Sequence, residues 1–245
     1  MDYELQGKCV LVTGGTRGIG RATSLAFAGA GATVLACYRS DDAAAEALAR
    51  ELDAVGFGHR VVRADVTDPA AVADLVDECR RAFGGLDVVV NNAGADGRSP
   101  AAQLTPAQWH RVVDANLTSA FLVTSAAAAI LRPGGSVVTI GGAVATRGRP
   151  GMVHHNAAKA GVLGLTRSLA RELGPRAIRV NAVAPGVIEP APGGGMPPGL
   201  REQLAGLTAL GRLGTPGDIA DVVLFLASAP AGYLTGVSIT ADGGI

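Results

Sequence analysis

The apolar run Val10-Leu11-Val12-Thr13 passes directly into Gly14-Gly15-Thr16-Arg17-Gly18-Ile19-Gly20 and then into an Ala-rich helical pattern. A strand, a glycine turn and a helix in that order constrain this chain more than any other feature. Glycine permits the tight turn and lets the backbone approach a pyrophosphate closely. A helix that starts near Gly18 offers free N–H groups and a positive dipole end to the same anion. The glycine spacing alone is weak, but the strand before it and the helix after it give it context.

The same rhythm continues along the chain. Short β-branched runs at Cys9–Thr13, Thr33–Cys37, Arg60–Ala64, Val88–Val90, Ser136–Ile140, Arg179–Val183 and Val237–Thr240 read as strands. Helical patterns lie between them near 18–30, 42–55, 69–83, 105–131, 152–174 and 216–228. Continuous apolar strands alternating with helices predict a parallel sheet covered on both faces. The expected fold class is α/β: one domain over 1–245, Rossmann-type and doubly wound, with about seven strands.

Residues 190–207 break the rhythm with Pro190, Pro192, Gly193, Gly194, Gly195, Pro197, Pro198 and Gly199. That composition predicts irregular structure and a lid at 190–207, over a site at the carboxyl edge of the sheet.

Composition narrows the partners. The chain is 48% hydrophobic with a formal net charge of zero, which supplies a core and no basic surface for nucleic acid or an anionic membrane. Cys9, Cys37 and Cys79 are far apart and without C-x-x-C spacing, so neither a metal site nor a disulfide framework is expected. The short polar start, Met1 to Lys8, lacks a secretory apolar stretch, and no apolar run has the length of a membrane span. A cytoplasmic setting is the expectation.

Several segments together resemble the short-chain dehydrogenase/reductase family, on the side of its bacterial 3-oxoacyl-carrier-protein reductases. They are Thr13 to Gly20, Asp65-Val66, Asn91-Asn92-Ala93-Gly94, Asn116, Lys159, Asn181 to Gly186 and the terminal Asp242-Gly243-Gly244. The resemblance covers essentially the whole chain. It implies that Gly14, Thr16, Arg17, Gly18, Ile19 and Gly20 hold the pyrophosphate end of a nicotinamide dinucleotide. It implies further that Asp65 and Val66 hold the adenine, and that Asn91, Asn92, Ala93 and Gly94 line the floor and brace the sheet. Pro185, Gly186 and Ile188 would pass beside the nicotinamide. A homotetramer or homodimer would assemble through the two long helices near 105–131 and 152–174, and through the last strand.

Cofactor choice follows from charge. An acidic residue after the second strand would bind the two ribose hydroxyls of NAD. Here the sequence is Ala36-Cys37-Tyr38-Arg39-Ser40, and Arg17 stands in the glycine turn. Two guanidinium groups suit a 2′-phosphate, so NADP(H) is expected.

The catalytic half departs from the pattern. The family uses Asn, Ser, Tyr and Lys, and Asn116 and Lys159 match two of these. The position four residues before Lys159 is His155, where the family has Tyr. Thirteen residues earlier stands Gly142, where it has Ser, and Pro190 stands where Thr is frequent. Losing one donor to a developing oxyanion costs roughly 3–4 kcal/mol. An imidazole can donate a proton, and its ordinary pKa of about 6.5 lies near working pH. Asn116, His155 and Lys159 are therefore the candidate catalytic residues.

Three functions compete at this point. One is an NADP(H)-dependent oxidoreductase, acting on a small-molecule carbonyl or polyketide-like substrate with His155 as proton donor. The second is a non-redox dehydratase, isomerase or cyclase that uses the same three side chains. The third is a non-catalytic subunit of a hetero-oligomer.

Overall fold

The computed structural model describes residues 3–56, 58–189 and 196–245. Seven strands form one sheet: β1 Cys9–Thr13, β2 Thr33–Tyr38, β3 Arg60–Arg63, β4 Leu86–Asn91, β5 Leu131–Ile140, β6 Arg179–Pro185 and β7 Ser238–Ala241. Their order is β3-β2-β1-β4-β5-β6-β7, and every pairing is parallel. All carboxyl ends therefore share one edge. The order reverses between β1 and β4, and the crevice at such a switch point is where open α/β sheets bind ligands.

Alternation along the strands feeds two apolar layers. Val10 and Val12 of β1 face one layer, and Leu11 between them faces the other. The first layer is closed by α1 (Gly18–Gly29), α2 (Asp42–Val55) and α9 (Pro216–Ala227), through Phe27, Leu48, Leu52, Ile219 and Val223. The second is closed by α3 (Pro69–Phe83), α5 (Ser119–Ala127) and α7 (Val153–Leu173), through Val72, Leu75, Val123 and Leu173. Local sequence starts several of these helices. Asp41 accepts from the Ala44 N–H, Asp68 from the Ala70 N–H, and Thr215 with Asp218 forms a capping box.

Two expectations need correction. The stretch 105–131 is not one helix. It is α4 (Pro106–Val113), a π-helical turn at Asp114–Thr118 and then α5, and β5 already begins at Leu131. The irregular structure expected across 190–207 is overturned for α8, Pro198–Gly206, whose proline falls in the first turn, where a missing N–H costs nothing. Residues 190–195, including Pro190, lie outside the described residues. A short α6, Val144–Arg147, follows β5. No described helix is long and apolar enough to cross a membrane.

Candidate active site

The glycine turn is stitched to the loop after β4. The Thr13 Oγ1 accepts from the N–H groups of Asn92 and Ala93, at 3.0 Å each. The Asn92 Nδ2 donates back to the carbonyls of Thr13 and Gly14, at 3.0 and 2.9 Å. Gly14 and Gly18 adopt positive φ, and a Cβ at Gly20 would collide with the Gly14 carbonyl and the Asn92 amide. Gly20→Ala is therefore expected to lose about 1–3 kcal/mol of stability in urea unfolding. Gly18→Ala would strain only its backbone, because a Cβ there meets nothing within 4 Å. That empty space lies at the start of α1, whose first N–H groups have no side-chain cap.

An open cleft of about 840 Å³, counting the solvent at its mouth, follows the edge from this turn. Gly14, Thr16 and Arg17 line one end, Tyr38 and Arg39 the side, and Asp65, Val66, Asn92, Ala93 and Gly94 the floor. The Asp65 carboxylate is fixed by the N–H and hydroxyl of Thr67, at 3.0 and 2.7 Å. Burial raises the Asp65 pKa, but the Thr67 donors and the Arg39 charge outweigh it, so the group titrates below its ordinary value. Arg17 pairs with Asp41 at 3.0 Å and is mostly exposed. Among the described residues the Arg39 guanidinium has no carboxylate within ion-pair distance. Asn91 does not line the cleft. Its buried amide donates to Thr124 and Thr139 and braces the sheet.

A nicotinamide dinucleotide fits these residues: an uncapped helix start beyond glycines, a fixed carboxylate on the floor, and arginines at the glycine turn and along the side. The structure does not gather all the expected positions into that one cleft. Ile19 is the second residue of α1, and Pro185 closes β6. Gly186 packs so closely on Asp242 that a Cβ would stand 2.7 Å from its Cα. Ile188 bridges to Gly214 and lines a second cavity with Leu210, Arg212 and Asp218.

The candidate catalytic groups continue the edge from Gly94. A Cβ on Gly94 would stand 2.7 Å from the Asn116 Oδ1, so the floor meets Asn116 directly. Asn116 occupies the π-helical turn, and its Nδ2 donates to the Ala95 and Val112 carbonyls at 2.8 Å each. Inserted turns of this kind are frequent at functional sites. Lys159 is buried, and its Nζ donates to the Ile140 carbonyl at the end of β5, at 2.8 Å. Burial pushes its pKa down to about 8. His155 stands four residues earlier in α7, on the same face as Lys159. Burial and the Lys159 charge lower the His155 pKa, against an opposing pull from Asp96.

Gly142 follows β5 beside this group. A Cβ there would meet only Val144 Cγ2 at 3.5 Å and Lys159 Cγ at 3.6 Å, which is ordinary contact. A side chain is absent at 142 although there is room for one. On the neighbouring loops, Arg147 is tied to Asp242 by an ion pair, and Arg98 packs along Gly151.

Sequence reasoning missed three contributors. Asp96 places its Oδ1 3.7 Å from His155 Nδ1, Gly97 lets its loop approach α7, and Asp41 shares Arg17. The pair Asp96-Gly97 carries a turn signal, but nothing in it names the partner across the fold.

Comparison with known proteins agrees with this geometry. The family model described as Enoyl-(Acyl carrier protein) reductase matches residues 14–245. The 3-oxoacyl-[acyl-carrier-protein] reductase FabG of Escherichia coli is 38% identical over 247 residues, covering 100% of this chain and 99% of that protein. A solved short-chain dehydrogenase/reductase from Serratia marcescens superposes with a TM-score of 0.93 at 36% identity, covering 98% of each chain. A short chain dehydrogenase from Burkholderia cenocepacia in complex with NADP gives 0.92 at 36% identity, again over 98% of each.

Proposed function

The chain belongs to the short-chain dehydrogenase/reductase family of oxidoreductases, and we propose that within it this enzyme is an NADP(H)-dependent carbonyl reductase in which His155 takes the tyrosine's place. The observation that carries the reading is the continuity of one sheet edge. The dinucleotide cleft runs through Gly94 to Asn116, and His155 and Lys159 share one face of α7 beyond it. The relatives named for a 3-oxoacyl carrier substrate make a small 3-oxo ester or thioester, of the polyketide type, the first substrate to try.

When bound, NADPH supplies the hydride. The chain's own residues do the rest. Arg39 and Arg17 hold the 2′-phosphate, and Asp65 and Val66 hold the adenine. The Lys159 ammonium, kept in place by the Ile140 carbonyl, reaches the nicotinamide ribose. His155 delivers a proton to the substrate oxygen. Pro185 and Gly186 at the end of β6 border the nicotinamide side, and Asn116 fixes the loop that carries Ala95.

Arg39 tests the cofactor choice. Arg39→Ala removes a charge-assisted hydrogen bond of about 1.5–3 kcal/mol, so NADPH binding is expected to weaken about ten- to hundred-fold. NADH binding is expected to stay unchanged in the same fluorescence titration. Equal loss for both cofactors would refute the 2′-phosphate role.

One observation favours a second reading. Gly142 leaves no hydroxyl beside Lys159, which suits acid/base chemistry without hydride transfer. Substrate turnover with no change in nicotinamide absorbance would select that reading. Assembly through α4–α5 and α7 into a dimer or tetramer accords with the exposure of Phe121 and Val153 on those helices. A monomer mass in sedimentation would remove it.

A further inference from the structure

The loop after Gly94 is fastened against the start of α7 with unusual closeness. Asn116 holds the Ala95 carbonyl, and the Arg111 Nη2 donates to the Asp96 carbonyl at 2.9 Å. The Ser99 N–H donates to the Gly151 carbonyl at 2.8 Å, just ahead of α7. Between these ties stands Gly97, where a Cβ would collide with His154 Nε2 and Val112. Any side chain there would push the loop away. The backbone of Asp96 is thus set, while its carboxylate is 93% exposed and free to rotate.

That carboxylate faces a ring with an unmet need. His155 Nδ1 is buried and lacks a hydrogen-bond partner among the described residues. Its nearest carboxylate oxygen is Asp96 Oδ1 at 3.7 Å, a gap that a small rotation of an exposed side chain closes. A buried ring nitrogen gains from any acceptor within reach, so the closure is favoured. An ionised carboxylate only accepts, so the partner it selects is Nδ1–H.

We propose that Asp96 is the positioning residue of this site: its carboxylate takes the His155 Nδ1–H and commits the ring to presenting Nε2 to the substrate oxygen. The inference rests on the reductase reading for its consequence and on the pair's geometry for its existence. In reduction, the carbonyl carbon gains the hydride carried by NADPH. The carbonyl oxygen gains the proton from Nε2 of a doubly protonated ring. His155 is left neutral with its Nδ1–H still on Asp96, and solvent returns the lost proton to Nε2. Asp96 itself takes no proton. A tyrosine at 155 would have no second ring donor for Asp96, so the carboxylate and the histidine make sense together.

The charges around His155 act in opposite directions. Lys159 and His154 on α7 oppose its protonation, and Asp96 and the Ala95 carbonyl on the loop favour it. Arg111 on α4 reaches the same loop through the Asp96 carbonyl rather than its carboxylate.

The test is a ring NMR titration of the full-length protein with labelled histidine. The chain has 4 His, and the His155 signal is assigned by its loss in His155→Asn. Asp96→Asn is expected to lower the His155 midpoint by about 0.5 pH unit, as suits a partly exposed pair. The ring nitrogen shifts are expected to report Nδ1–H in the native protein and to lose that preference in the variant. The fall of reductase rate with rising pH is expected to move to lower pH by the same amount, and Asp96→Glu should restore both. Because Asp96 is exposed, its unfolding midpoint is expected to stay within error of the native one. An unchanged His155 midpoint in Asp96→Asn, or an Nε2–H ring in the native protein, would overturn the proposal. Absence of NADPH turnover in the native protein strikes the reductase reading instead, and the titration still decides the pair.

Discussion

Installing Gly142→Ser and His155→Tyr together is expected to raise carbonyl reduction by about a hundred- to thousand-fold, the usual worth of a restored donor to a developing oxyanion. Serine fits at 142 without displacement, since its Cβ would make only ordinary contacts with Val144 and Lys159. Tyrosine at 155 needs more room than imidazole, and the exposed Asp96 side chain can yield it. The Lys159 side chain is already held by the Ile140 carbonyl beside this position. Each single variant is expected to gain less than the pair, because the two hydroxyls act on one oxygen. A Michaelis series with NADPH and a 3-oxo thioester measures it. A double variant no faster than the native enzyme would mean that the substrate oxygen does not lie between 142 and 155.

Lys159 carries the second large effect. Lys159→Met is expected to lower reduction by about a hundred-fold or more and to weaken NADPH binding. It also changes the pH dependence of stability. The native ammonium titrates near 8 in the fold, against 10.5 when exposed, because burial penalises its charge. Between those values the unfolded chain binds the proton that the folded chain has shed, so unfolding free energy rises with pH. From pH 8 to 9 the unfolding free energy of the native protein is expected to rise relative to that of Lys159→Met by about 1 kcal/mol in urea unfolding. The buried Cys37 and Cys79 thiols, pushed up to about 12, act in the opposite direction from about pH 8 upward, but in both proteins alike, so they cancel in the difference. The same pH dependence in both proteins would show that Lys159 is not the group responsible.

Much of the fold was legible because its signals are local. β-branched runs such as Val10-Leu11-Val12 and Val137-Val138 have no good alternative to a buried strand. The glycine turn announces itself because Gly14 and Gly18 require conformations other residues avoid. The π-helical turn at Asn116 was not legible, since Asp114–Thr118 reads as ordinary helix in the sequence. The helix at Pro198–Gly206 was hidden by the prolines and glycines around it. Tertiary partners escaped altogether. Nothing in the sequence brings Asp96 to His155, or Asp41 to Arg17, because loop placement decides both. The altered chemistry was plain as residue types, while the ring's second partner needed the fold.

One measurement tests the central claim directly. The enzyme is loaded with NADPH and mixed with a 3-oxo thioester, and nicotinamide absorbance and hydroxy product are followed through a single turnover. In the native enzyme absorbance is expected to fall in step with product. In His155→Ala the fall is expected to be slower by about a hundred-fold or more, with NADPH still bound. Equal rates in both proteins would remove His155 as the proton donor, and no fall in native enzyme that binds NADPH would contradict the reductase reading itself.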